Sequence, residues 1–431
     1  MNSFNIHVAS EEINSSNIKE KNTDDYKIIN YEKGYVCFDD EETGKYRSVV
    51  VCKKTNQVVA YGPKKSISME LFMERYPEFE GHVPADVYVC EIVEGTMINL
   101  FFDKERNTWE IATKSAMGGH YWFYRQYYNN SIGTEQYTFR QMFMEAVGES
   151  ALSDLNESYL VKNLDKNMSY SFVLQHPANH IVLDITIPKV YLVAIFEITH
   201  DSVGFTSPLV TYKPRSSVDV TDLRSVKSTD DENTIRHVPL FEYYTNSSVL
   251  IDKHQYGVFY LPARCNGIYN RLCYSELQTP NIMCYFHVGY MVVNSNTGDR
   301  VTVKSENYER LKNIRGNHPN LQYQYLAIMR TGKITEFIQN FPIYKTLFHQ
   351  FYEQISDYVK SVHNIYLEVY VKKNKDMLLN VNKHMRYHLQ QIHYQKHILN
   401  KQIVTRDVVL QWFLYTLEPG QFLYLLRSQV I

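Results

Sequence analysis

One change of hydrophobic period, close to Glu306, constrains this chain more than any other feature. Before it, apolar residues come in short, alternating or β-branched runs: "YVCF", "YRSVVVCKK", "QVVAYG", "VYVCEIVEG", "TMINLFFD" and "WEIATKS". Further on, "YSFVLQHP", "HIVLDIT", "KVYLVAIFEIT", "YGVFYLP", "IMCYFHVGYMVVN" and "DRVTVKS" repeat the pattern. A two-residue period buries one face of a strand, so these runs predict antiparallel sheet. After Glu306 the segments lengthen and take a period near 3.6: "YERLKNIRG", "EFIQNFPIYKTLFHQFYEQISDYVKSVHNIYLEVYVKK", "HMRYHLQQIHYQKHILNK" and "TRDVVLQWFLYTL". Residues 134–165 also read as helical, with apolar positions at Phe139, Met142, Phe143 and Ala146. The expected class is therefore α+β, a β-rich body followed by an all-helical domain.

A chain of 431 residues exceeds one ordinary core, which agrees with that division. The boundaries expected are a polar, flexible segment at 1–28, a β body at 29–310 and a helical domain at 311–431. Residues 221–234 read as a polar loop, and Thr297-Gly298-Asp299 as a hairpin turn.

Charge is uneven. The net value is −2, but residues 301–431 hold 17 Lys and Arg against 9 Asp and Glu. An acidic body with a basic C-terminal third points to a polyanionic partner. Lys372, Lys373, Lys375, Lys383, Arg386, Lys396, Lys401 and Arg406 crowd one stretch, with Tyr387 and Tyr394 among them. Basic side chains that track a phosphate backbone, interleaved with rings that stack on bases, describe a single-stranded nucleic-acid surface. Met377, Leu378, Val381, Met385, Leu389 and Ile392 form the apolar stripe of the same segment. The 36 tyrosines are spread along the whole chain and follow AT-rich coding better than a stacking surface.

Other chemistries find little support. The six cysteines (Cys37, Cys52, Cys90, Cys265, Cys273 and Cys284) make no CxxC pair and no zinc spacing, and read as reduced thiols of a cytoplasmic protein. His384/His388 and His393/His397 lie on nearly opposite sides of one helix, so four ligands would not converge and no metal is expected. For Ser171 and His176, no acidic residue at a supporting spacing suggests a hydrolase triad. No run approaches the ~18 apolar residues of a membrane span, so no membrane partner is expected.

The stretch "IVEGTMINLFFDKERNTWEIATKS" (92–115) resembles the nucleotidyl-lysine signature of phage RNA ligases and fungal tRNA ligases: E-G-T, an apolar strand, a charged turn and a second strand ending in "ATKS". "YRSVVV" (46–51) and "GPKKSISMELFMERYP" (62–77) resemble the family's upstream segments. "SYSFVLQHPANHIV" (169–182) resembles its third motif, and "VGYMVVNSNTGDRVTVKSENYERLKNIRG" (288–316) its fourth and fifth. The resemblance covers roughly residues 40–316. It implies a ligase-type nucleotidyltransferase β core, in which a lysine attacks ATP or GTP.

The departures fall on the chemistry. Ile92 stands at the nucleophilic lysine, Val173 and Val288 at motif glutamates, and Thr302 at the first lysine of the fifth motif. Isoleucine has no lone pair, so no catalytic residue and no cofactor are expected. The resemblance leaves Arg47, Lys64, Lys65, Glu94, Gly95, Thr96, Lys114, Arg300 and Lys304 as RNA- or nucleotide-contacting positions. Lys372, Lys373, Lys383 and Arg386 add the helical domain's share. "IRGNHPNLQYQYL" (314–326) is similar to ligase-like proteins of large cytoplasmic DNA viruses. Together with composition, it resembles proteins of yeast cytoplasmic linear killer plasmids, which encode secreted anticodon nucleases and matching immunity proteins. The expectation is a pseudo-ligase that binds RNA, in the form of tRNA, and confers immunity. The rivals are an active enzyme using Lys64 or Lys65, and a protein-binding module that captures the toxin subunit.

Overall fold

The computed structural model describes residues 3–6, 8, 18–32, 40–123, 137–162, 164–200, 233–238, 255–256, 258–262, 273–277 and 287–428. Two compact units emerge, one from Met1–Trp122 with Gln136–Arg310, the other from Phe123–Glu135 with Leu311–Ile431.

The first unit is built on sheets. Its strands are β1 (Ser3–Ile6), β2 (Ile18–Asn22), β3 (Tyr26–Tyr31), β4 (Val49–Cys52), β5 (Gln57–Tyr61), β6 (Val87–Glu91), β7 (Thr96–Asp103) and β8 (Thr108–Thr113). They continue with β9 (Ala116–Met117), β10 (Met168–Gln175), β11 (Lys189–His200), β12 (Asn233–Val238), β13 (Gln255–Tyr256), β14 (Phe259–Tyr260), β15 (Gly289–Asn294) and β16 (Arg300–Lys304). The largest sheet runs β1-β12-β11-β10-β7-β8-β9, with β14 added beside β11 and β13 beside β14. A four-stranded sheet runs β2-β3-β4-β5 and a three-stranded sheet β16-β15-β6. Among the described residues, pairing is antiparallel except between β11 and β14. The antiparallel α+β expectation therefore holds.

Strand β10 explains how the sheets are layered. Its sequence MSYSFVLQ alternates large apolar residues with small ones, and nearly all of it is buried. Tyr170, Phe172 and Leu174 join Ile98, Leu100 and Ile111 under helix α1 (Phe139–Ala146), whose Phe139, Met142 and Phe143 supply the other half of that core. Ser169 and Ser171 alternate with these residues, as a two-residue period requires. The Tyr61 N–H donates to the Ser169 hydroxyl (3.1 Å), Ser171 donates to the Asn99 Oδ1 (2.9 Å), and the Asn99 amide donates to Ser48 (2.9 Å). A polar seam thus joins the large sheet to β4 and β5, while Phe196 and Ile235 pack against Val49, Val58 and Tyr61 nearby.

Three expectations need correction. The segment expected to be flexible at 1–28 supplies β1, β2 and the first half of β3 among its described residues. The polar residues Lys19 to Asn22 of the edge strand β2 are exposed, while Tyr26, Ile28 and Ile29 of β3 are buried. The helix expected through residues 134–165 is interrupted. It stops at Val147-Gly148, where Gly148 takes φ +82°, and resumes only as a short turn at Leu155–Glu157 and a helix at Tyr159–Lys162. "HIVLDIT" is not a strand, because its backbone N–H groups are engaged by a side chain, as described below. "YVCF" and nearly all of 221–234 lie outside the described residues.

The β15–β16 hairpin turns through Thr297-Gly298-Asp299 as expected. Gly298 takes φ +70°, and a Cβ there would lie 2.8 Å from the His237 ring of β12. His237 pairs its Nδ1 with the Ser295 carbonyl at 3.0 Å.

The second unit is helical. It contains the second half of α2 (Glu306–Arg315), then α3 (Leu321–Arg330), α4 (Ile334–Asn340), α5 (Lys345–Tyr366), α6 (Lys383–Ile392), α7 (Arg406–Thr416) and α8 (Pro419–Arg427). Helix α5 carries the longest apolar stripe, from Leu347 and Phe348 to Ile365 and Tyr366. The stripe expected from Met377 to Ile392 divides. Val381, Met385, Leu389 and Ile392 are buried, whereas Met377 and Leu378 are half-buried on a 3-10 turn before α6. No helix among the described residues is long and apolar enough to cross a membrane.

Burial pushes His237 down to about 4, with Lys64 pushing the same way and the Ser295 carbonyl and Asp299 opposing. A histidine whose folded pKa is depressed contributes stability that is complete above about 6.5 and is lost as pH falls toward 4. Urea unfolding at pH 7.5 and 4.5 is expected to show the wild type losing on the order of 3 kcal/mol more than His237→Gln. Equal losses would remove His237 as the cause.

Candidate phosphate-binding site

Residues 92–96, 174–183 and Gly289 meet at the crossing from β6 to β7. Strand β6 belongs to the three-stranded sheet and β7 to the large one, so residues 92–95 bridge two sheets. The Ile92 N–H donates to the Gly289 carbonyl (3.1 Å). The buried Glu94 carboxylate accepts the backbone N–H groups of Ile181 (2.8 Å), Val182 (2.9 Å) and Leu183 (3.3 Å). This capture leaves "HIVLDIT" in bends instead of a ladder. The Gln175 amide donates to the Glu94 carbonyl (3.0 Å), and the Asn179 amide to the Thr96 hydroxyl (2.8 Å). At Gly95 an added Cβ would lie 2.3 Å from the Leu174 oxygen and 2.7 Å from Val173 Cγ1.

Glu94, Gly95 and Thr96 are therefore engaged with their own fold. A Glu94 carboxylate that accepts three amides is built to order a loop. Val173 and Val288 are buried and apolar, and Ile92 is half-buried. Thr302 is exposed and shares a hydrogen bond with the Ser66 hydroxyl (2.7 Å).

The cations form a second group. The half-buried Arg47 precedes β4. Burial lowers its pKa, and only the Tyr31 and Tyr61 phenols act against that. No carboxylate pairs with Arg47 among the described residues. The Lys114 ammonium lies over the Tyr31 ring, 4.5 Å from its centre. Lys64 pairs with Asp299 (3.4 Å), which also binds Arg75 (3.1 Å) and the Tyr76 hydroxyl (2.8 Å). Burial lowers the Lys64 pKa, Asp299 opposes this, and nearby Lys45 reinforces it. Arg300 donates to the Lys64 carbonyl through Nε (3.1 Å) and Nη2 (2.8 Å). The Lys65 N–H donates to the Gly44 carbonyl (3.0 Å), and its side chain is half-buried.

Arg47, Lys64, Lys114 and Arg300 are thus linked through Tyr31, Tyr61 and Asp299. Asp299, Arg75 and Tyr31 were not picked out from sequence. The signal for Asp299 was its place in the turn next to Arg300. Lys304 stands apart, paired with Glu309 (2.9 Å). In the helical unit Lys372 pairs with Glu368 (2.6 Å). Arg386 donates to the carbonyls of Val381 (2.8 Å) and Leu379 (2.9 Å), which makes it a tie across a turn rather than a free cation. Lys373 and Lys383 are exposed. A cavity of about 370 Å³ lies elsewhere, among Asp24, Asp25, Lys53, Lys54, Glu105 and Arg106, and none of the cations above lines it.

No protein-family model and no curated protein matches the chain.

Replacing Glu94 by Ala leaves three half-buried N–H groups without their acceptor, an expected cost of about 2–4 kcal/mol. Gly95→Ala forces the Leu174 carbonyl aside and is expected to cost a similar amount, about 2–3 kcal/mol. Thermal unfolding of both variants checks this. Wild-type midpoints would show that the crossing does not depend on these contacts.

Proposed function

We propose that this chain is a catalytically inactive RNA-ligase-like protein that binds RNA, tRNA foremost, and confers immunity to a killer-toxin anticodon nuclease. The observation that carries the reading is Arg47, a half-buried guanidinium with no carboxylate partner among the described residues. A charge withdrawn from water without a counter-ion is costly, and a phosphate would offset that cost. Lys114, Lys64 and Arg300 extend the positive field around it.

The position that would carry a nucleophile is filled by Ile92, whose side chain cannot form a covalent nucleotide adduct. Val173 and Val288 likewise offer no oxygen for a metal or a ribose. What remains suits holding a polyanion rather than joining its ends.

A second reading is favoured by one observation. Lys64 has a lowered pKa beside Asp299, and a lowered pKa is what makes an amine nucleophilic at neutral pH. Incubation with labelled ATP or GTP, followed by a denaturing gel, separates the two. The pseudo-ligase reading expects no labelled band, and a band lost in Lys64→Arg would establish an enzyme. In the same preparation, Arg47→Gln is expected to weaken tRNA binding about tenfold or more at fixed salt. Retention of a toxin subunit after RNase treatment, with no tRNA bound, would replace RNA by a protein as the partner.

A further inference from the structure

The helical unit carries a column of aromatic rings that the proposed function does not use. Helix α5 runs on into a π-helical turn at Leu367–Val371, and α6 into another at His393–Leu399. The Tyr370 ring stacks on His393 with centroids 3.9 Å apart and 15° between planes. His393 in turn stacks on His397 at 5.2 Å and 22°. The Tyr366 hydroxyl bonds His393 Nδ1 (3.1 Å), which fixes the middle ring. His397 is exposed, and it has no second ring contact among the described residues. The column therefore ends in an open ring face.

Lysines follow both ends of the column, Lys373 and Lys375 after Tyr370, and Lys396 and Lys401 beside His397. Each π-helical turn is closed by a lysine in the left-handed region, Lys373 at φ +63° and Lys401 at φ +54°. The Gln402 N–H donates to the Lys396 carbonyl (2.9 Å), which folds Lys401 back beside Lys396 and His397. Lys373, Lys375, Lys396 and Lys401 have no ion pair among the described residues, and Asp376 is the one carboxylate within 371–403. Tyr394, next to the column, is 55% exposed. π-Helical turns are rare and concentrate at functional sites.

We infer that His397 is a stacking platform for an unpaired base of a single-stranded RNA segment, which extends the Tyr370–His393–His397 column by one ring while Lys396 and Lys401 hold the flanking phosphates. The inference rests on the reading of the chain as an RNA-binding protein, and adds that the helical unit engages unpaired nucleotides. A duplex keeps its bases within its own stack and cannot supply that ring.

The test uses the full chain and fluorescence anisotropy at fixed salt, with a labelled oligo(A) 12-mer, an RNA duplex of the same length, and tRNA. Oligo(A) is expected to bind about tenfold more tightly than the duplex. His397→Ala is expected to weaken oligo(A) binding about tenfold while leaving the duplex unchanged, and His397→Trp to restore it. Lys396→Gln with Lys401→Gln is expected to lower the salt slope for oligo(A) by about 1.4. Oligo(A) affinity within twofold of wild type in His397→Ala would overturn the platform, as would equal binding of duplex and single strand. tRNA binding that persists alongside such a result would leave the RNA reading standing. Oligo(A) binding that needs His397, with no binding of tRNA, would keep the platform and remove the tRNA reading.

Discussion

The grip of one carboxylate on three backbone amides organises the first unit. Glu94 lies on the four-residue crossing that carries the chain from the three-stranded sheet to the large one. By taking the N–H groups of Ile181, Val182 and Leu183, it fixes where β10 ends and how the chain approaches β11. Strand β6, which leads into that crossing, pairs with β15 and so carries the hairpin of β15 and β16. That hairpin delivers Asp299 and Arg300 to Lys64.

The apolar residues around the crossing give the proposed loss of chemistry a physical rationale. A pocket that holds a nucleophilic amine and its carboxylates must keep them solvated or mutually paired. Val173 and Val288 need neither, and their apolar side chains are buried. Positive charge instead gathers beside the four-stranded sheet, at Arg47 and Lys64, where burial depresses both cations.

Much of the architecture could be read directly from residues. The two-residue alternation of β10 and the Thr297-Gly298-Asp299 turn follow from local pattern. The burial of Phe139, Met142 and Phe143 follows from helical spacing. "HIVLDIT" misled because its β-branched residues fit a strand, while the acceptor for its amides sits far away at Glu94, and local pattern carries no record of such a partner. Helices α3 and α8 were passed over although Asn320 and Glu418-Pro419 are ordinary start signals. Among the expected site residues, Arg47, Lys64, Lys114 and Arg300 come together. Glu94 and Arg386 turn out to serve the backbone, because a charged side chain in a motif looks the same whether it faces a ligand or an amide.

The contact between Gly95 and the Leu174 oxygen has a consequence of its own. At this point main chain meets main chain at a distance that no methyl group can share. A Cβ at position 95 is barred whatever side chain stands at 92, so the glycine testifies to shape and is silent about activity.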